Sequence, residues 1–397
     1  MNRKILVLAA LVAAVSLVLP AAAAGFRKAP YLLWPGDPSR MTILWQADGT
    51  PGRVALAWGP TSACRRIADG VSEEGTGPDG HLFRVTLSGL EPGRLYHYRV
   101  TVDGTVREGS FVAAPASAKG PVTFYGFGDT RSRPDVMNAV LSRLLADVDE
   151  DPAHRQTLCL HAGDWVTRPD EASWDREFFA PGFPANADFL ARLAVMGCRG
   201  NHEGDGVLLR KYWPYPYLDP VGCWYSFDYG PVHVTVLDDQ ADLSPGSPQV
   251  AWLAKDLVGS ERPWKIVLHH VPAWSAGGHH PNRTIREDLA PLFRRTGVTL
   301  VIAGHNHYYA RCEAGGITWL TLGGGGAPLA VPDDSAPGVV KVGLSYHYAR
   351  FDVDGDRMAV QVVRPDGSVL DRFELVRVVA VPTGRPATGV AAGASGR

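Results

Sequence analysis

Apolar residues recur along this chain with two different periods, and the change of period divides it. Between residues 26 and 116 the apolar runs are short and alternating: "MTILWQA", "RVALAWG", "HLFRVTLSGL", "LYHYRVTV" and "EGSFVAA", set apart by Gly, Pro and Asp. Period-two alternation marks half-buried strands. In "LYHYRVTV" it turns Tyr96, Tyr98, Val100 and Val102 toward a core, and His97, Arg99 and Thr101 away from it. Asp103-Gly104 then predicts a tight hairpin turn. The pattern predicts an all-β sandwich over residues 25–116, with "APASAKGP" at 114–121 as a linker of little apolar bulk.

From residue 117 to 378 strands alternate with helices. "VTFYGFGD" precedes "RPDVMNAVLSRLLADVDED", in which Val136, Val140, Leu144 and Val148 fall at helical spacing. Further strands are predicted in "QTLCLHAGD", "LAVMGCRGNHE", "PVHVTVLDD", "WKIVLHH", "VTLVIAGHNH" and "ITWLTLGGGG". "SPQVAWLAKDLVG" and "TIREDLAPLFRRTG" are predicted helices, the second opening on a Thr284–Glu287 capping box. Such alternation predicts a layered α/β domain, closed by an antiparallel strand group over 346–376. Residues 379–397 are low in complexity and predict a disordered tail.

The first 24 residues hold a positive start, an apolar run and a small-residue end near Ala24, the pattern of a signal peptide. Export follows as an expectation, periplasmic or secreted, with no membrane span left after cleavage. A formal net charge of −2 and the lack of a basic run give no nucleic-acid-binding surface. The five cysteines, Cys64, Cys159, Cys198, Cys223 and Cys312, lack zinc-ribbon spacing, and their odd number leaves one unpaired within a single chain.

Five predicted strands end in chemically useful residues. They are "GDT" with Asp129, "GDW" with Asp164, "GNHE" with Asn201 and His202, "VLHH" with His270, and "GHNH" with His305 and His307. Ligands of open α/β sheets bind beyond the carboxyl ends of strands, so these five ends would meet in one small volume. Carboxylates, imidazoles and an amide oxygen together make a site for metal ions. A lone Gly-Asp is ordinarily a turn; five such ends in order are not.

The ordered series Gly-Asp, Gly-Asp, Gly-Asn-His-Glu, Val-x-x-His and Gly-His-x-His resembles the calcineurin-like metallophosphoesterases. With the front sandwich, in which "LEPGRLYHYRV" resembles a fibronectin type III-like domain, it looks most like the purple acid phosphatases. The resemblance covers roughly residues 26–376. It implies a four-layer α/β/β/α sandwich behind a fibronectin type III-like sandwich. It also implies two metal ions, with Fe, Mn and Zn all suited. Asp164 would bridge them. Asp129 and His307 would hold the first ion, and Asn201, His270 and His305 the second. His202 would touch a phosphoryl oxygen or assist the leaving group, and His279 and His280 would stand over the substrate.

Two positions depart from the family pattern. Arg131 stands where the relatives carry His or Gly, and Thr167 where the purple enzymes carry a Tyr ligand. A guanidinium cannot ligate a cation. The first site is therefore left to water, Thr167 or Tyr308 for completion, and Arg131 to clamp substrate phosphate. The expected protein is an exported dinuclear phosphomonoesterase of the acid phosphatase type, acting on a phosphate ester through a metal-activated hydroxide. The alternatives are a phosphodiesterase for nucleotides or phospholipid head groups, and a surface binding module with a degenerate metal site.

Overall fold

The computed structural model describes residues 24–75 and 80–377. The predicted signal segment ahead of Ala24 and the predicted disordered tail lie outside the described residues. Three sheets carry the fold. The largest has ten strands, in the order Val369–Val376, Arg357–Val363, Tyr348–Asp354, Val122–Phe127, Leu158–His161, Ala194–Gly197, Phe26–Leu33, Met41–Ala47, His81–Leu87, Ser72–Gly75. Its central strands, Val122–Phe127, Leu158–His161 and Ala194–Gly197, are parallel. A second sheet of seven strands is built on the parallel run Val232–Val236, Trp264–Leu268, Val298–Ala303 and Ile317–Leu322.

Successive side chains of a strand point to opposite faces, and both faces of the second sheet are buried. Ile266, Leu268, Leu300 and Ile302 share a core with Phe124, Phe127 and Leu160 of the large sheet. Val267, Val301 and Trp319 point the other way, against Leu253 and Leu257 of helix Pro248–Gly259 and against Ile285 and Phe293. Helix Pro134–Asp149 adds Met137, Val140, Leu141, Leu144 and Val148 to the large core. Each such side chain contributes about 2 kcal/mol on burial. The result is an α/β/β/α sandwich.

In front of it a four-stranded sheet, Arg66–Ile67, Val54–Gly59, Leu95–Val102 and Thr105–Val112, completes the N-terminal β-sandwich. Tyr96, Tyr98, Val100 and Val102 are at most 1% exposed. Asp103 and Gly104 turn the hairpin at φ 44° and 88°. The other sheet of this sandwich is not separate. Phe26–Leu33 lies parallel to Ala194–Gly197, with Leu32 opposite Ala194, so the large sheet runs from one half of the molecule into the other. Lys28 seals the seam. It is fully buried, its Nζ donating to Gln46 at 2.6 Å and to Asp175 at 2.5 Å.

One sequence expectation is corrected. Thr284 is already helical at φ −59° and ψ −46°, so its hydroxyl caps nothing. Asn282 Oδ1 accepts the Ile285 N–H at 3.0 Å instead, and the Thr284–Glu287 capping box is not formed. Val136 is only half-buried, because the buried stripe of its helix starts at Met137. All five cysteines are free and buried.

Candidate metal centre

Parallel strands deliver their carboxyl ends to one edge. Val122–Phe127 leads to Asp129, Leu158–His161 to Asp164, and Ala194–Gly197 to Asn201 and His202. From the second sheet, Trp264–Leu268 leads to His270, and Val298–Ala303 to His305 and His307. Asp129, Asp164, His270 and His307 are buried. Asp129, Asp164 and His305 have φ of 59°, 55° and 67°. That left-handed backbone costs a non-glycine residue about 1–3 kcal/mol and collects at functional sites. The strain is held by hydrogen bonds. Asp129 N–H donates to Gly163 O at 2.9 Å, and His305 N–H donates to both Asp129 oxygens at 3.0 and 2.9 Å. The backbone after Gly304 thus bends at His305 instead of continuing the strand Val298–Ala303. Gly200 is required by closeness, since a Cβ there would lie 2.3 Å from Asp164 N and Oδ1.

One ligand set is formed by Asp164, His270 and His305. His270 Nδ1 faces Ala162 O at 2.8 Å, which fixes the ring and leaves Nε2 toward the cleft. Three lone-pair atoms converge on that Nε2: Asp164 Oδ1 at 3.2 Å, Asn201 Oδ1 at 3.0 Å and His305 Nδ1 at 3.2 Å. One ring proton cannot serve three acceptors, whereas a cation satisfies all four groups at once. Without an ion the carboxylates hold a proton there. Burial works against a charged His270, yet Asp164, Asp129 and Asp239 raise it to about 10. Burial likewise opposes the charge on Asp164, but His270 keeps it below the usual carboxylate range. His305, buried beside charged His270, falls to about 3.

The other set is formed by Asp129, Asp164 and His307. His307 Nδ1 faces Pro328 O at 2.8 Å, so Nε2 carries the lone pair that faces Asp129 Oδ1 at 3.6 Å. Burial, then the Arg131 charge, lowers His307 to about 4. Burial pushes the Asp129 carboxyl well above its ordinary range. Arg131 leans into this set. Its Nε donates to Asp164 Oδ2 at 3.3 Å, and its Nη2 lies 3.3 Å from His307 Nε2. The two Asp164 oxygens thereby divide, Oδ1 toward His270 and Oδ2 toward Arg131.

Comparison with known proteins names this arrangement. Residues 122–309, which contain every strand end above, match the family Calcineurin-like phosphoesterase. Residues 28–113 match Purple acid Phosphatase, N-terminal domain. The chain carries a calcineurin-like phosphoesterase domain. Its class of reaction is the metal-dependent hydrolysis of phosphoric esters. A purple acid phosphatase of Glycine max is 27% identical over 325 residues, covering 76% of this chain and 68% of that protein. The Fe(3+)-Zn(2+) purple acid phosphatase 12 of Arabidopsis thaliana is 26% identical over 288 residues, covering 66% of this chain and 59% of its own length. A solved purple acid phosphatase from yellow lupin (Lupinus luteus) seeds shares the fold at a TM-score of 0.74 and 20% identity, covering 92% of this chain and 78% of that one.

In this phosphoesterase the remaining sequence-predicted residues take distinct places. His202 lies beside Asp164, with its N–H donating to Oδ1 at 3.1 Å and its Nε2 3.8 Å from Oδ2. His279 is exposed, and its ring packs on His305 at 4.5 Å between centroids. Asn306 positions it from below, with Oδ1 accepting the His279 N–H at 2.9 Å. His280 is exposed. Thr167 and Tyr308 do not complete the first set. The Thr167 hydroxyl donates to Glu177 at 2.8 Å, and the Tyr308 hydroxyl donates to Gly277 O.

Sequence reasoning missed two carboxylates. Glu203, buried, accepts the N–H groups of Gly200 (2.7 Å), Trp165 (2.8 Å), Asp164 (3.1 Å) and Val166 (3.3 Å), and so shapes the Asp164 turn. Its place in "GNHE", next to His202, was the only signal. Glu177 Oε2 accepts Ser132 N–H and Thr167 N–H, both at 2.8 Å, tying together the turns that follow Asp129 and Asp164. Nothing local in the sequence marks it.

Proposed function

We propose that this phosphoesterase is an exported phosphomonoesterase of the acid phosphatase type. The observation that carries the reading is the convergence of Asp164, Asn201 and His305 on His270 Nε2. Asp129, Asp164 and His307 hold the first ion, and Asp164, Asn201, His270 and His305 the second. Fe, Mn and Zn all suit these donors. A metal pair supplies charge that activates water and screens phosphoryl oxygens. The chain's own groups do the rest. His202, held from its Nδ1 side by Thr167 O at 2.8 Å, presents Nε2 to a phosphoryl oxygen or to the leaving group. Arg131 adds a planar donor pair matched to phosphate. His279 and His280, on the exposed loop above His305, contact the ester beyond the phosphorus. Export rests on the signal-peptide pattern of the first 24 residues.

The test pairs metal content with hydrolysis of a chromogenic monoester and a chromogenic diester. Two ions per chain with a clear monoester preference supports the reading. A diester preference replaces it with a phosphodiesterase. Less than one ion per chain and no turnover after adding Mn or Zn leaves a binding module.

A further inference from the structure

The two ligand sets differ in one respect that the donor atoms alone do not reveal: the first set already faces a permanently charged side chain that is not one of its own ligands. Arg131 Nε and Nη2 each lie 3.3 Å from a ligand atom of that set, Asp164 Oδ2 and His307 Nε2. These atoms face away from the second set, whose contacts with Asp164 run through Oδ1. The His307 ring is fixed by Pro328 O, so its Nε2 lone pair has no other direction to face. The Arg131 side chain is only 17% exposed, and its backbone N–H donates to Asp164 O at 3.3 Å, so its root is fixed as well. By contrast, no arginine or lysine among the described residues contacts His270 or His305, the second set's imidazoles.

We propose that Arg131 is the resident cation of the first site, and that a metal ion enters there only by displacing the guanidinium. The second site then fills first and tightly, and the first fills later and weakly. Once displaced, the guanidinium is free for a phosphoryl group. Standing in for the metal and recognising the anion thus become alternative uses of one side chain. This inference rests on the metal-centre reading above and adds an order of filling to it.

Calorimetric titration of the full-length protein, stripped of metal and then given Zn2+, tests it. Wild type should bind one ion tightly and a second far more weakly. Arg131→Ala and Arg131→Gln should strengthen the weak step by about tenfold or more, the effect of removing a unit charge at such range. Both should change the tight step far less, because its contact with Asp164 runs through Oδ1, and its persistence reports that the ligand frame is intact. An unchanged weak step in both variants, with the tight step preserved, overturns the proposal alone. Absence of Zn2+ binding in wild type and variants overturns the metal-centre reading, and this inference with it.

Discussion

His233 should make this protein measurably less stable in alkali. It sits in strand Val232–Val236, 6% exposed, with Nδ1 2.8 Å from Asp228 and Nε2 3.1 Å from Asp256 of the neighbouring helix. Burial alone would lower its pKa, but the two carboxylates raise it to about 9. Both partners move the matching way, Asp228 and Asp256 falling below their ordinary value despite burial. A rise from 6.5 to about 9 corresponds to ~3 kcal/mol. Asp228 is 43% exposed at its side chain, so screening reduces the expected effect to about 2 kcal/mol. The sign follows from linkage: the folded state binds the proton more tightly than the unfolded chain. The stabilisation is complete below pH 6.5 and is lost as pH rises through about 9. His233→Gln removes this titration. Urea unfolding of both proteins in chelator at pH 6 and pH 10 isolates it, because other titrating groups are common to the pair. The stability difference should shrink by about 2 kcal/mol between the two pH values. A difference that stays constant across the window would refute the assignment of charge to His233.

Other outcomes follow from the same contacts. Lys28→Met leaves Asp175 and Glu171 without their buried partner and should destabilise the fold by about 2–4 kcal/mol in chemical denaturation; no measurable loss would mean the seam does not depend on this charge. Metal binding near neutral pH should release the proton that His270 holds, so apparent affinity rises with pH and calorimetric heats depend on the buffer's ionisation enthalpy; buffer-independent heats contradict this. The protein loaded with Fe(III) should lack a visible tyrosinate band, because Thr167 stands where the resemblance implies a Tyr ligand, and the Tyr308 hydroxyl donates to Gly277 O. Glu203→Ala strips the acceptor from four backbone N–H groups, each worth about 1–3 kcal/mol when buried, and should lose the tightly bound ion on dialysis while wild type retains it.

Much of this architecture was readable from local pattern. The alternation in "LYHYRVTV" gave a half-buried strand, and the strand-end residues from Asp129 to His307 could be gathered because parallel strands share an edge. What was hidden depended on distance in the chain. Arg131 meets His307 across 176 residues, and Lys28 meets Asp175 across 147. The pairing of Leu32 with Ala194 leaves no periodic trace in either segment. Left-handed backbone at His305 was also invisible, since His carries no turn signal comparable to Gly. The Thr284 cap was misplaced by two residues because Asn282, an equally good cap, precedes it.

The continuous ten-stranded sheet sets a rule for anyone who would shorten this protein. A cut in the segment 114–121 looks harmless by composition, yet it would strip the strand Phe26–Leu33 from the flank of Ala194–Gly197. The retained half would present a raw sheet edge, the surface through which chains stick to one another. It would also leave Asp175 and Glu171 facing the gap where Lys28 had been. The front sandwich is therefore better regarded as the outer wall of the catalytic half than as an appendage, and a fragment lacking it should be recovered as aggregate rather than as a smaller enzyme.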